Sequence, residues 1–129
     1  MTETKLSAFI IGSEPLAAQC GDTWLEHGHA VRGLITSTPQ LASWAASKGI
    51  PVLDPRQDYL PALDAEPFDY LFSITHLALI PEEVLKRPRR AAINFHDGAL
   101  PRYAGLNTPS WALINGEDQW AITFHEMTP

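Results

Sequence analysis

Leu6-Ser7-Ala8-Phe9-Ile10-Ile11 runs directly into Gly12-Ser13-Glu14-Pro15, and a segment follows that sets Leu16, Cys20 and Trp24 along one side. A short apolar run, a tight loop and an amphipathic stretch of helical period read as strand, loop and helix, with Ser13 as the candidate N-cap. Gly28 after His27 is a natural helix stop, because glycine takes the left-handed conformation at little cost.

The same unit then recurs along the chain. Val31–Thr36 reads as the next strand, and Thr38-Pro39 supplies a cap and a first-turn proline for a helix running to Lys48-Gly49. Ile50–Leu53 is a third short strand. Asp54–Pro67 reads as loop with one helical turn, since Pro55, Pro61 and Pro67 interrupt it. Tyr70–Ile74 is a run of the kind found in strands covered on both faces. Pro81–Leu85 starts a short helix that must end before Pro88. Ala91–Phe95 is a further buried strand, Thr108-Pro109 caps a helix to Ile114, Asn115-Gly116 turns, and Gln119–Glu126 is the last strand. Strands alternating with helices at this spacing predict an α/β fold: a Rossmann-like doubly wound, mainly parallel sheet with helices on both faces.

Composition sets the outer limits. The 129 residues are 45% hydrophobic and 19% charged, the balance of a globular domain. A net charge of -6 argues against a dedicated nucleic-acid or anionic-membrane binder. No apolar run has the length of a signal-peptide core or a membrane span. Cys20, the single cysteine, forms no intrachain disulfide, and no Cys/His spacing resembles a zinc site, so a cytoplasmic setting without metal is expected. The first loop lacks the repeated glycines of a dinucleotide fingerprint, and Glu14 would repel a pyrophosphate, which argues against a nicotinamide enzyme.

In parallel α/β sheets, ligands gather at the carboxyl ends of the strands. The strand Ala91-Ala92-Ile93-Asn94-Phe95-His96 ends in two polar residues that period-two alternation places on one face, away from Ile93 and Phe95. An amide can stabilise a developing oxyanion, and an imidazole can move protons near neutral pH. That pairing is also common among structural polar groups, and the following loop decides between the two.

From Asn94 the chain reads Asn-Phe-His-Asp-Gly-Ala-Leu-Pro-Arg-Tyr-Ala-Gly-Leu-Asn, through Asn107. This resembles the signature of the formyltransferases that use 10-formyltetrahydrofolate, close to Asn-x-His-x-Ser-x-Leu-Pro-x-x-x-Gly. Asn94, His96, Leu100, Pro101 and Gly105 fall on matching positions. Trp111–Gly116 resembles the family's next helix and turn, and Ile122-Thr123-Phe124-His125 its next strand. Gly98 stands where the family usually has Ser and Asp97 where many members have Pro, a version closer to the formylation domains of nonribosomal peptide synthetases and related secondary-metabolite enzymes.

The resemblance implies transfer of a formyl group from 10-formyltetrahydrofolate to a primary amine through a tetrahedral intermediate. Asn94 and His96 would be the catalytic pair. His76, Leu77, Ala78 and Leu79, with Asp97, Gly98 and Leu100, would line the folate site, while Gly105 and His125 would face the acceptor, His125 by virtue of a strand-end position. The acceptor would be an amino sugar, an amino acid or a carrier-bound aminoacyl group. A third catalytic residue, an aspartate, would lie beyond Pro129. Asp97 points away from His96 and does not replace it, so residues 1–129 read as one formyltransferase N-terminal domain cut short at its C-terminal end, with further domains expected downstream. The rival readings are a hydrolase using the same parts on water and a folate-binding module without catalysis. His27 and His29 read as solvated. Lys86, Arg87, Arg89 and Arg90 read as a solvated helix end, with a hold on a substrate phosphate as the alternative.

Overall fold

The computed structural model describes residues 5–74, 80–97 and 122–127, and the side chains of 5–74 and 80–95. Its strands are β1 (Ser7–Gly12), β2 (Ala30–Ile35), β3 (Val52–Leu53), β4 (Tyr70–Ile74), β5 (Ala91–Asp97) and β6 (Ile122–Met127). The helices are α1 (Pro15–Glu26), α2 (Pro39–Ser47), α3 (Leu60–Asp64) and α4 (Glu82–Leu85). The strands form one sheet in the order β3-β2-β1-β4-β5-β6. The first five run parallel, and β6 pairs with β5 antiparallel. The chain winds outward from β1 in one direction, then returns to lay β4 on its other side, so β1 and β4 flank the topological switch point.

Each face of the sheet buries its own layer. Ala8, Ile10, Leu34, Phe72, Ile74 and Phe95 pack with Ala17, Cys20 and Trp24 of α1 and Leu41 and Ala45 of α2. Phe9, Ile11, Ile35, Leu71 and Ala92 pack with Leu63 of α3 and Val84 of α4. This is the expected doubly wound arrangement. Because both faces are covered, β1 is buried along its whole length and reads as an unbroken apolar run, without polar alternation.

Local signals resolve into specific contacts. Glu14, and not Ser13, is the N-cap of α1, and neither α1 nor α2 has a side-chain cap bond. Pro15 and Pro39 start the two helices, and Thr38 Oγ1 donates instead to the Ser13 carbonyl at 3.0 Å, tying the two loops together. Gly28 and Gly49 take positive φ at the helix ends. Gly12 is required for a different reason: a Cβ there would lie 2.8 Å from the Ile74 carbonyl oxygen and 3.1 Å from Ala17 Cβ. The strand at the switch point therefore passes flush against β4 and α1.

His29 departs from the solvated reading. Its Nδ1 accepts a hydrogen bond from Leu6 N–H at 3.1 Å, and its ring lies against Trp24 at 4.4 Å. It closes the entry to β1, whereas His27 stays exposed. The proposed helix at 109–114 lies outside the described residues. Among the described residues no helix is long and apolar enough to cross a membrane.

Candidate active site

One row of paired residues crosses the whole sheet near the carboxyl ends of the parallel strands. Leu53 pairs with Ile35, Ile35 with Ile11, Ile11 with Ser73, Ser73 with Asn94, and Asn94 with His125. Ile11 and Ile35 belong to the layer under α3 and α4, so the row is polar in its β4–β5–β6 half and apolar in its β1–β2–β3 half. The change falls at the switch point between β1 and β4, where ligands bind in open α/β sheets.

Asn94 is half-buried, next to Ala92 of the α3/α4 layer by alternation, while Ile93 and Phe95 pack toward α1 and α2. Phe95 is fully buried and stacks on Phe72 with ring centroids 5.5 Å apart. This fixes the face of β5 that packs toward α1 and α2 and leaves Asn94 on the other one. The strand continues without interruption through His96 to Asp97, with His96 paired to Thr123 and Asp97 to Ile122.

His125 needs a correction. Because β6 is antiparallel, its own C-terminal end lies at the amino edge of the sheet, with Met127 opposite Ala92. His125 thus does not end a strand at the carboxyl edge; it lies inside β6, where it pairs with Asn94. The residue brought beside His96 is Thr123. His76, Leu77, Ala78, Leu79, Gly98, Leu100 and Gly105 lie outside the described residues.

Beside the apolar half of the row, a cavity of about 540 Å³ opens on the α3/α4 side, walled by Ile11, Tyr59, Leu60, Pro81 and Val84 and rimmed by Arg56, Asp58 and Glu83. Its size is that of a small-molecule site. Ile11 stands two strands from Asn94, roughly 10 Å at ordinary strand spacing. Burial raises the Tyr59 phenol above its ordinary value. On the rim, Arg56 clasps Asp54 through Nε and Nη2 at 3.1 Å each, and these hydrogen bonds hold the Asp54 carboxyl below the usual range. The segment 54–59 reads in sequence only as a proline-broken loop. Asp54-Pro55, Arg56 and Asp58-Tyr59 offered no motif that marks it as a cavity wall.

The basic residues around Pro88 are elsewhere. Arg89 and Arg90 reach the Asp69 carboxylate at 2.9 and 3.7 Å, and Arg87 pairs with Asp64 at 2.9 Å. Asp69 precedes β4, so Arg89 and Arg90 lie at the amino edge, across the sheet from Asn94. A hold on a substrate phosphate in this site does not fit that position. Among the described residues no cluster of His, Cys, Asp and Glu could hold a metal ion.

A family model described as formyl transferase matches residues 26–128. Methionyl-tRNA formyltransferase of Azobacteroides pseudotrichonymphae is 31% identical over 140 residues, covering 95% of this chain and 43% of that protein. Methionyl-tRNA formyltransferase of Sorangium cellulosum is 33% identical over 102 residues, covering 76% of this chain and 33% of that protein. The chain thus spans less than half the length of these relatives. In fold it is similar to phosphoribosylglycinamide formyltransferase from Anaplasma phagocytophilum, with TM-score 0.65, 18% identity, and 97% of this chain and 66% of that one covered. Formyltetrahydrofolate deformylase from Burkholderia mallei superposes with TM-score 0.64, at 17% identity, over 97% of this chain and 50% of that one.

Proposed function

We propose, for a chain that belongs to the formyl transferase family, that it serves a biosynthetic, cytoplasmic enzyme moving a formyl group from 10-formyltetrahydrofolate to a primary amine. The observation that carries this reading is the placement of Asn94 in the row at the carboxyl edge, with His96 two residues on along the same strand. The donor set suits a carbonyl substrate, since an amide stands beside a buried hydroxyl, Ser73, at the switch point.

When bound, the folate supplies a formyl carbonyl on a nitrogen that can leave as a secondary amine. Asn94 Nδ2 donates to the carbonyl oxygen and stabilises the negative charge that grows there as the acceptor nitrogen attacks. His96 takes the proton released by the acceptor and returns it to the departing nitrogen. The C–N bond to the acceptor would form first, with charge on the carbonyl oxygen, and the C–N bond to the folate would break as that charge returns, so no net proton is consumed. The folate lies against residues 75–80 and 94–105, with His76, Leu77, Ala78, Leu79, Asp97, Gly98 and Leu100 in contact. Gly105 and His125 face the acceptor. An amino sugar, an amino acid or a carrier-bound aminoacyl group is the acceptor class; the relatives' name adds methionyl-tRNA, which the net charge of -6 weighs against. The cytoplasmic setting rests on Cys20, the single cysteine, being a buried free thiol.

The test is a titration of 5-formyltetrahydrofolate against the complete polypeptide with NAD in parallel, followed by formyl transfer from 10-formyltetrahydrofolate to each acceptor class. Saturable folate binding and acceptor-dependent transfer are expected. Formate released at the same rate without acceptor would make it a hydrolase, and NAD binding without folate binding would overturn the assignment.

A further inference from the structure

Ser73 stands inside β4 between Phe72 and Ile74 and is 1% exposed. Leu71, two residues back, packs into the α3/α4 layer, while Phe72 and Ile74 pack toward α1 and α2, so alternation turns Ser73 to the α3/α4 side. Its cross-strand neighbours in the row are the apolar Ile11 and the half-buried Asn94. Among the described residues no group is hydrogen-bonded to its hydroxyl. A buried hydroxyl without a partner costs stability that an alanine or valine on this apolar strand would not. A group that joins it in the filled site would give the hydroxyl a use, and the polar side chain next to it on the neighbouring strand, with backbones about 4.8 Å apart at normal strand spacing, is Asn94.

We propose that Ser73 is a positioning residue for Asn94: with the site filled, its hydroxyl donates to Asn94 Oδ1 and holds the amide with Nδ2 toward the reacting carbonyl. The inference rests on the formyl-transfer reading above. An amide has one donating and one accepting end of nearly equal size, and only the donating end stabilises an oxyanion. A neighbour that is itself a donor to Oδ1 selects the productive orientation and, by polarising the amide, strengthens the Nδ2–H donor. Serine has a single side-chain torsion with three staggered wells, so its hydroxyl can be re-aimed without moving the strand.

The variant is Ser73→Ala, tested in the complete polypeptide together with Asn94→Ala and the double variant. Loss of an unpartnered hydroxyl leaves the urea midpoint unchanged or raised, which separates this role from a structural one. In formyl transfer, Ser73→Ala should lower kcat about tenfold to a hundredfold, the effect of a misplaced reacting group, with KM for the folate within about twofold. In the Asn94→Ala background the same substitution should cost nothing further. Unchanged kcat, or the full loss persisting in the Asn94→Ala background, would overturn the proposal. A crystal structure with 5-formyltetrahydrofolate reads the bond without turnover. A protein that binds this folate but transfers nothing ends the transfer reading alone, and a Ser73 Oγ beyond about 3.2 Å of Asn94 Oδ1 ends the Ser73 assignment. No folate binding ends both.

Discussion

The Asp69 carboxylate, with 6% of its side chain exposed, accepts a hydrogen bond from Arg89 Nη2 at 2.9 Å while its other oxygen accepts from Ser7 N–H at 2.9 Å. Ser7 opens β1, Asp69 precedes β4 and Arg89 precedes β5, so one carboxylate joins the starts of three adjacent strands. Arg90 N–H and Ala91 N–H add hydrogen bonds to the Asp69 carbonyl.

Asp69→Ala leaves the buried Ser7 N–H without its acceptor and releases the start of β5. The expected loss is about 2–3 kcal/mol, from an orphaned buried donor plus a broken charged hydrogen bond. Urea denaturation at neutral pH checks it.

The same carboxylate makes stability depend on pH. Burial by itself raises the Asp69 carboxyl, but the hydrogen bonds from Ser7 and the charge of Arg89 outweigh it and hold the group below the usual carboxylate range. A folded-state value below the unfolded one contributes stability that is complete above the ordinary aspartate value of about 3.9 and is lost as pH falls through the folded value. The wild-type advantage over Asp69→Asn should be constant between about pH 5 and 7 and shrink below about pH 4. Urea midpoints of the two proteins across that range measure it, and a difference independent of pH down to acid would remove Asp69 as the cause.

Gly12→Ala forces a methyl group to within 2.8 Å of the Ile74 carbonyl, a backbone atom that cannot swing aside. The expected cost is about 1–3 kcal/mol, as for overpacked cores. Thermal unfolding reads the loss, and Gly28→Ala is a contrast, since nothing lies within 4 Å there and only its positive φ is strained.

Cys20 is 4% exposed, and burial pushes its thiol up to about 12. A thiol-specific reagent at pH 8 should modify the native protein only through unfolding and should react at once in denaturant. Rapid native labelling would contradict the packing of α1 on the sheet.

Asn94→Ala and His96→Ala test the proposed chemistry. Each should reduce turnover about a hundredfold or more with little change in folate affinity, while His27→Ala, at an exposed helix end, should be near neutral. Full formyl transfer by His96→Ala would refute the assigned proton-transfer role.

Much of this molecule was readable along the chain. Leu6–Ile11, Val31–Thr36, Tyr70–Ile74 and Ala91–Phe95 are apolar runs bounded by Gly and Pro, and all four correspond to strands. Pro15 and Pro39 mark helix starts, and Gly28 and Gly49 mark helix ends. These signals are local: burial on both faces demands an apolar run, and helix ends demand particular φ values. The position of Asn94 and His96 on one strand was likewise legible, because the strand period that sets it lies within a few residues.

What the sequence by itself determined is therefore the succession of strands and helices among the described residues, the two-faced burial of the sheet and the two polar residues Asn94 and His96 in the second half of β5. Only the tertiary structure decided that β6 runs antiparallel, so that His125 meets Asn94 in mid-strand, and that Ser73, read as one more member of an apolar run, stands between Ile11 and Asn94. The same holds for Asp69, whose partners are Ser7 and Arg89, far away along the chain. Strand direction and register are settled by hydrogen bonds and packing between distant segments. A period of two says which residues share a face and leaves open which residue on another strand each of them will meet.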